Sequence, residues 1–425
     1  MKIFLDTIGC RLNQSEIEQM AYQFRSAGHQ IIDSPVEADL VVVNTCAVTA
    51  AAASDSRQKI RLAARLGKAS VVVTGCWGTL EPQAAHDLPG VEFVIPNDRK
   101  DTLVSEILGF PVEAFDIEPI AREPLPGSHA RTRAFIKVQD GCDNHCTFCI
   151  TRIARGPGRS RAVDEVIKDV KMAQNGNTQE IVLSGVHLGS WGHDFDQPDH
   201  LRHLIEEILN RTSIPRVRLS SLEPWDLDHD FFELWSNPRL CRHLHLPLQS
   251  GAVKTLKRMA RNTTPDAYLA LVTEVRKMQP DMAITTDIIV GYPGESDEDH
   301  QESLEFVRKV GFAGGHVFTY SKREGTAAAK LGEQVNGLIR KKRGAEMRAL
   351  FAETSFEYKK KYLGEKITVL WETAEQISAD TWRLSGLSDN YLRVDAISKQ
   401  NRRNRIDQVY LKEFAAEHIL GIIED

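Results

Sequence analysis

Six of the seven cysteines stand in two triplets. Cys142, Cys146 and Cys149 form a CxxxCxxC within DGCDNHCTFC, whereas Cys10, Cys46 and Cys76 lie far apart, each closing an apolar run. Three thiolates can hold three irons of a cubic 4Fe-4S cluster and leave the fourth iron open, while a closed structural zinc site takes four protein ligands. An open iron can bind a reactant, so the spacing predicts chemistry at two clusters. His145 could complete a zinc site, but a ligand adjacent to Cys146 strains tetrahedral geometry. Cys241 has no partner at ligand spacing and reads as a buried, inert thiol.

The dispersed triplet requires a scaffold that brings distant residues together. KIFLDTIGC, ADLVVVNTC and ASVVVTGC each run from β-branched or apolar residues through small or polar ones into Cys, 36 and 30 residues apart. That interval is about one strand, helix and return, which predicts parallel strands with right-handed crossovers and all three cysteines at one carboxyl edge, where open α/β sheets bind ligands. Ser15 and Glu18 read as a capping box opening a helix, with Ile17, Met20, Ala21 and Phe24 at helical spacing before Gly28. A single cysteine in such a place is usually a small core hydrophobe. Three in the same strand-end position argue for a shared ligand. No GxGxxG follows the first strand, so a dinucleotide site is not indicated.

Beyond Pro119, Pro124, Pro126 and Gly127, which mark a linker, RAFIKVQDGC is a strand entering the CxxxCxxC loop. EIVLSG, VRLSSLEP, HLHLPLQSG, AITTDIIVGYPG and GGHVFTYS then alternate with helical runs, predicting a partial (β/α) barrel with its site at the strand carboxyl ends. His243 and His245 share a strand face and read as lumen residues. Gln334 to Tyr362 reads as an amphipathic helix interrupted at Gly344. KITVLWET, TWRLSGLS, YLRVDAI, QVYLKEF and HILGIIE predict a small five-stranded, OB-like β barrel. The expected fold class is therefore α/β: an open parallel α/β domain over 1–117, a linker over 118–130, the partial barrel over 131–360 and the small β barrel over 361–425.

The chain of 425 residues, 42% hydrophobic and 26% charged, suits a globular protein of two or three domains. No run approaches membrane-spanning length, so no membrane partner is expected. An odd cysteine count with metal-like spacing points to the reducing cytoplasm. The net charge of −6 excludes a generally basic nucleic-acid coat. One stretch stands out: between Arg122 and Arg161, eight basic residues face three acids around the CxxxCxxC motif, so an anionic substrate is expected there.

TIGCRLNQSE, VNTCAVT, TGC at Cys76, QDGCDNHCTFC, ARGPGRSR, HLPLQSG, DIIVGYPGE and YSKREGTAAA together resemble the methylthiotransferase family of radical S-adenosylmethionine (SAM) enzymes over essentially the full length. The resemblance implies an auxiliary 4Fe-4S cluster on Cys10, Cys46 and Cys76, a SAM-cleaving 4Fe-4S cluster on Cys142, Cys146 and Cys149, and a TRAM-like terminal barrel. It also implies two uses of SAM, as methyl donor and as source of the 5′-deoxyadenosyl radical, with Phe148, Gly185, Glu223, Gln249 and Asp287 around SAM. Arg155, Arg159 and Arg161 would then hold tRNA phosphates, since phosphate contacts position a nucleic acid. An electron donor and a sulfur source, both unidentified, are implied as further partners. SSLEPWDL resembles the branch that converts N6-threonylcarbamoyladenosine of tRNA to its 2-methylthio form. The alternatives are isopentenyladenosine tRNA, a ribosomal-protein aspartate or, in another class, a non-catalytic iron-sulfur carrier. Ile-Thr-Arg-Ile-Ala after Cys149 and Trp77-Gly78 after Cys76 depart from the family pattern.

Overall fold

The computed structural model describes residues 1–67, 69–109, 121–126, 131–415 and 418–424; the boundary expected at 117 and much of the expected linker, including Pro119 and Gly127, lie outside the described residues. The chain gathers into two compact units: Met1–Asn144 with Cys149–Thr178 and Leu183–Ser213, and His145–Phe148 with Gln179–Val182 and Ile214–Asp425. Among the described residues, no helix is long and apolar enough to cross a membrane.

The first unit is built on β1 (Lys2–Thr7), β2 (Gln30–Ile32), β3 (Leu40–Thr45), β4 (Ser70–Gly75) and β5 (Val91–Ile95), in the order β2-β1-β3-β4-β5. Every pairing is parallel, as the strand–helix spacing requires. Both faces are covered, so β3 and β4 read as unbroken valine runs. Val42 and Val72 pack with Ile17 and Phe24 of the helix Arg11–Ser26, while Val41, Val43, Val71 and Val73 pack with Ile60 of the helix Ala50–Leu66 and with Trp77. Each fully buried valine contributes roughly 1.5–3 kcal/mol. The first helix starts at Arg11 with Cys10 as its N-cap, ahead of the expected capping box. Ser15 is spent elsewhere, its hydroxyl accepting from the Lys137 amide at 2.9 Å, and Glu18 pairs with Arg122 at 3.0 Å. Tertiary partners thus outcompete the local cap. Later in this unit come β6 (Ala134–Lys137) and an antiparallel pair, β7 (Gln139–Asp140) with β8 (Arg159–Ser160).

The second unit holds the first residues of β9 (Glu180–Ser184), then β10 (Arg216–Leu219), β11 (His243–His245), β12 (Ala283–Val290) and β13 (Gly314–Thr319). Val217 bridges Leu240 and Ser221 bridges His245 in parallel, and β11, β12 and β13 pair in parallel. This is the partial barrel. The helix Gly337–Lys360 runs without the interruption expected at Gly344; a Cβ there would lie 3.2 Å from Thr319 Cγ2, so the glycine lets the helix close on β13. β14 (Lys366–Ser378), β15 (Thr381–Ser388), β16 (Arg393–Ser398), β17 (Ile406–Ala415) and β18 (His418–Ile423) form a closed five-stranded barrel. Its 388–391 turn seals the amino end of the parallel strands. Arg218, paired with Glu180 at 2.7 Å, donates to the carbonyls of Ser388 and Asp389, and Tyr391, at φ +68, stacks on His243 at 3.9 Å.

Candidate metal centres and the barrel mouth

Strand register delivers the dispersed cysteines. Thr45 pairs with Gly75, so Cys46 and Cys76 follow side by side, and the Ile8 amide bonds to Asn44 O, carrying β1 on toward Cys10. Gly9, at φ +101, passes so close that a Cβ would lie 2.5 Å from Cys46 Sγ. Cys46 and Cys76 are buried and Cys10 is exposed. The Asn13 amide braces both loops, donating to Ile8 O at 2.8 Å and Thr45 O at 3.0 Å, while Asn97 Nδ2 stands 3.8 Å from Cys76 Sγ. Burial pushes the Cys46 thiol up to about 11, and the neighbouring Cys10 and Cys76 add to the rise. Ionising such a set calls for a bound cation. A tetrahedral zinc with bonds of about 2.3 Å would draw its sulfurs to roughly 3.8 Å of one another. Among the described residues, His245, Asp287 and His316 bring three ligand atoms within 4.8 Å of one another. A donor set of three thiolates fits a multi-iron cluster with one open iron.

Behind the dispersed triplet lies a buried charge network. Arg155 donates to Glu16 at 2.7 Å, Asp140 at 2.9 Å and Asn13 Oδ1 at 2.7 Å, and Lys100 joins Glu16 at 2.8 Å. Burial alone would raise the Glu16 carboxyl, but Arg155 and then Lys100 outweigh it and hold the group well below the usual carboxylate range. Burial opposes charge on Arg155 too, yet Glu16, Cys76 and Asp140 keep it firmly protonated. Its side chain is only 1% exposed. The expectation that Arg155 meets tRNA phosphates is therefore corrected: its guanidinium is consumed inside the unit, because three acceptors satisfy it there. Arg161 is largely covered, bonded to Asp169 at 2.7 Å and to Lys137 O at 2.8 Å. Arg159, 45% exposed, alone of the three presents its head to solvent, with the Asp140 carboxylate 4.0 Å away.

The CxxxCxxC loop contributes to both units, Cys142 and Cys149 to the first and Cys146 to the second. On the first side, Gly141 sits at φ +70 where a Cβ would strike Pro157 O, and the Cys142 amide bonds to Gly156 O at 3.1 Å. Gln139 Nε2 holds Asp140 O and Gly141 O at 2.9 Å, and Gly185 is the residue that leaves room for Gln139, a Cβ there falling 2.9 Å from its Oε1. On the second side, Thr147 bonds to Arg258 O and the Tyr292 hydroxyl at 2.9 and 2.7 Å, and Phe148 packs against the cluster of Met259, Tyr292, Tyr320 and Ala328. His145 is exposed. Arg261 reaches Cys146 Sγ at 3.5 Å while clasping Glu223 at 3.1 and 2.5 Å and lying over the Trp225 ring. Reading the sequence did not find Arg261; nothing in its local spacing marks it, and only Glu223 and Cys146 arriving from elsewhere give it a role.

Gln249 extends β11 at φ +73, its amide bonding to Asp287 O at 2.8 Å, a strained position of the kind that collects at functional sites. Asp287 Oδ1 lies 3.3 Å from His245 Nε2 and 3.1 Å from His316 Nδ1. Burial would raise the Asp287 carboxyl, but the hydrogen bonds from His245 and His316 outweigh it and hold the group below its ordinary range. The structure thus brings Gln249 to Asp287, and Glu223 to Cys146 through Arg261, while Gly185 serves Gln139. His243 and His245 both bond Thr285 Oγ1 at 2.9 Å, and Cys241 is a buried thiol pushed up to about 12 by burial.

Residues 136–307 match the model of the radical SAM superfamily, and residues 2–96 that of the uncharacterized protein family UPF0004. The chain is 34% identical over 399 residues to threonylcarbamoyladenosine tRNA methylthiotransferase MtaB of Bacillus subtilis, covering 91% of this chain and 88% of that protein. It is 33% identical to tRNA-2-methylthio-N(6)-dimethylallyladenosine synthase of Bacillus pumilus, covering 87% of this chain and 76% of that protein. The radical SAM methyltransferase TsrM of Kitasatospora setae is similar in fold, with a TM-score of 0.57 at 15% identity over 77% of each chain. With strand-edge cysteines, a CxxxCxxC loop entering a partial barrel and similarity over nearly its whole length, the chain belongs to the radical SAM methylthiotransferase family.

Proposed function

We propose that this protein transfers a methylthio group to carbon 2 of N6-threonylcarbamoyladenosine beside the anticodon of tRNA, in the reducing cytoplasm. The observation that carries the reading is the strand-edge triplet of Cys10, Cys46 and Cys76, built separately from the CxxxCxxC loop. Two open thiolate sites in one chain suit a reaction that must both hold sulfur and generate a radical, with a 4Fe-4S cluster on each triplet. When bound, SAM supplies the methyl group and the hydrogen-abstracting radical. The chain's own residues hold and exclude. Arg261 keeps Glu223 beside Cys146, Phe148 shields the loop with Tyr292 and Tyr320, and Gln249 fixes the strand end carrying Asp287. Arg159 offers its exposed guanidinium to a tRNA phosphate, and the target base must leave its stack to reach the strand ends. The finer substrate is supported by the greater share of the threonylcarbamoyladenosine relative that the chain spans, 88% against 76% for the dimethylallyl one.

The test is to incubate anaerobically reconstituted, reduced enzyme with SAM, a sulfide source and tRNA carrying either threonylcarbamoyladenosine or isopentenyladenosine, then digest and weigh the nucleosides. The methylthio product is expected from the first tRNA alone. Product only from the isopentenyl tRNA, or only on a ribosomal-protein aspartate, would reassign the substrate. No product from any of them and no 5′-deoxyadenosine would leave a non-catalytic iron-sulfur carrier.

A further inference from the structure

The helix Gly337–Lys360 treats its cations in two ways. Arg343 is buried against Glu295 and Asp297, each at 2.7 Å, and Lys342 lies 3.9 Å from Glu346. Residues four apart share a helix face, so Arg340, Gly344 and Arg348 form a separate row. That row meets the end of β13. A Cβ at Gly344 would fall 3.2 Å from both Thr319 Cγ2 and Arg348 Nη1, so the missing side chain makes room for the Arg348 guanidinium to reach back along the helix. Arg340 donates to Tyr320 O, where the chain leaves β13. Lys341 and, from the loop after β13, Lys322 complete a cleft of about 500 Å³ that the hydroxyl residues Thr319 and Ser321 also line. Among the described residues no acid lines it. Lys322, Lys341 and Arg348 are exposed, and none of the three has an ion-pair partner among the described residues.

We propose that this cleft binds backbone phosphates of the tRNA through Lys322, Arg340, Lys341 and Arg348. The assignment rests on the tRNA reading above and gives that substrate a holding surface within the second unit. In a chain of net charge −6, four cations gathered without an acid repel one another, and a polyanion relieves that repulsion. Guanidinium offers a fork of donors that matches phosphate oxygens, and lysine adds point charge. The Tyr320 carbonyl restrains Arg340 in advance, so less side-chain freedom is lost on contact. A lipid headgroup also carries phosphate, but an interfacial helix sets an apolar face beside its cations, whereas hydroxyls and cations line this cleft. Contacts of this kind position an RNA and read no base.

The experiment measures binding of threonylcarbamoyladenosine-bearing tRNA to the reconstituted protein between about 50 and about 200 mM salt. Wild type is compared with a triple variant, Lys322→Ala with Lys341→Ala and Arg348→Ala, and with a charge-keeping pair, Lys322→Arg with Lys341→Arg. The slope of log binding constant against log salt should become shallower by about two to three in the triple variant and keep its wild-type value in the pair. Iron content and denaturation midpoint should match wild type, which separates lost contacts from a lost fold. Should the triple variant fail to load iron, Lys341→Ala alone must still lower the slope by about one. A wild-type slope in the alanine variants overturns the assignment and leaves the tRNA reading intact. Loss of slope in the charge-keeping pair overturns it too, since charge would then not be what binds. A wild-type protein that binds no tRNA overturns both. Binding to phosphatidylglycerol vesicles that the triple variant loses, with the tRNA slope unmoved, would reassign the cleft to a membrane surface. Methylthio product from isopentenyl tRNA alone, with the slope lowered as expected, would change the target base and uphold the cleft.

Discussion

Cys10, Cys46 and Cys76 come from three strands, while Cys142, Cys146 and Cys149 come from one loop of eight residues. The first set exists only when β1, β3 and β4 are paired in register, since a one-residue slip would move each cysteine off the edge. The second set is held by local contacts: Gly141 at φ +70, the Cys142 amide on Gly156 O and the Thr147 hydroxyl on Arg258 O. Their electrostatics differ as well. Buried Cys46 carries a raised thiol with Arg155 nearby, and Lys100 lies near Cys76, whereas the loop cysteines are all half-buried. A metal site assembled by a sheet shares the cooperativity of the sheet; a site written into one loop depends on a few turns.

The comparison is broken most sharply by single cysteines. Cys142→Ala should abolish 5′-deoxyadenosine formation, whereas Cys46→Ala should keep SAM cleavage and give no methylthio nucleoside. Equal loss of both activities in both variants, read by chromatography of the same reaction, would erase the division of labour. Next in size is metal content: reconstituted protein should hold about eight irons, and alanine at Cys10, Cys46 and Cys76 together should leave about four. Full iron in that triple variant would mean the strand edge holds none.

Arg155→Met sharpens the contrast in stability. Removing one member of a buried charge network costs about 3–5 kcal/mol, here by stranding Glu16 and Asp140. The denaturation midpoint of the apo-protein should drop. In the loaded protein the strand-edge site should lose iron to a chelator before the loop site, because Asn13, which Arg155 holds, braces the Cys10 and Cys46 loops. Simultaneous loss from both sites would show that Asp140 transmits the damage to the Gly141 turn as strongly. The smallest effect belongs to Arg159→Ala, which should reduce the slope of log binding constant against log salt for tRNA by about one. An unchanged slope would remove Arg159 from the interface.

The strands and their terminal cysteines were legible because a β-branched run ending in Cys repeats at strand–helix spacing, and the five terminal strands because each is short, β-rich and turn-bounded. Arg155 was misread for a physical reason. Eight basic residues in one stretch look like a solvated face, and the partners that bury this one lie 139 and 15 residues away at Glu16 and Asp140. Ser15 deceived in the same manner, its hydroxyl taken by an amide 122 residues on. Gly344 looked like a break because helix propensity is local, while the approach of Thr319 that rewards it is not. Arg261 had no local mark at all; its role comes from Cys146 and Glu223 meeting it in space.

The 388–391 turn of the terminal barrel carries a lesson for anyone who would cut or graft this chain. Arg216 and Arg218 spend donors on the carbonyls of Thr368, Leu387, Ser388 and Asp389, and the ring of Tyr391 lies flat on His243. Truncation near residue 360 would leave two arginines with emptied acceptors at the base of the parallel strands, so the shortened protein should be expressed poorly. A chimaera that borrows another barrel would need to bring a matching turn, which makes this module a keel and not a detachable tag.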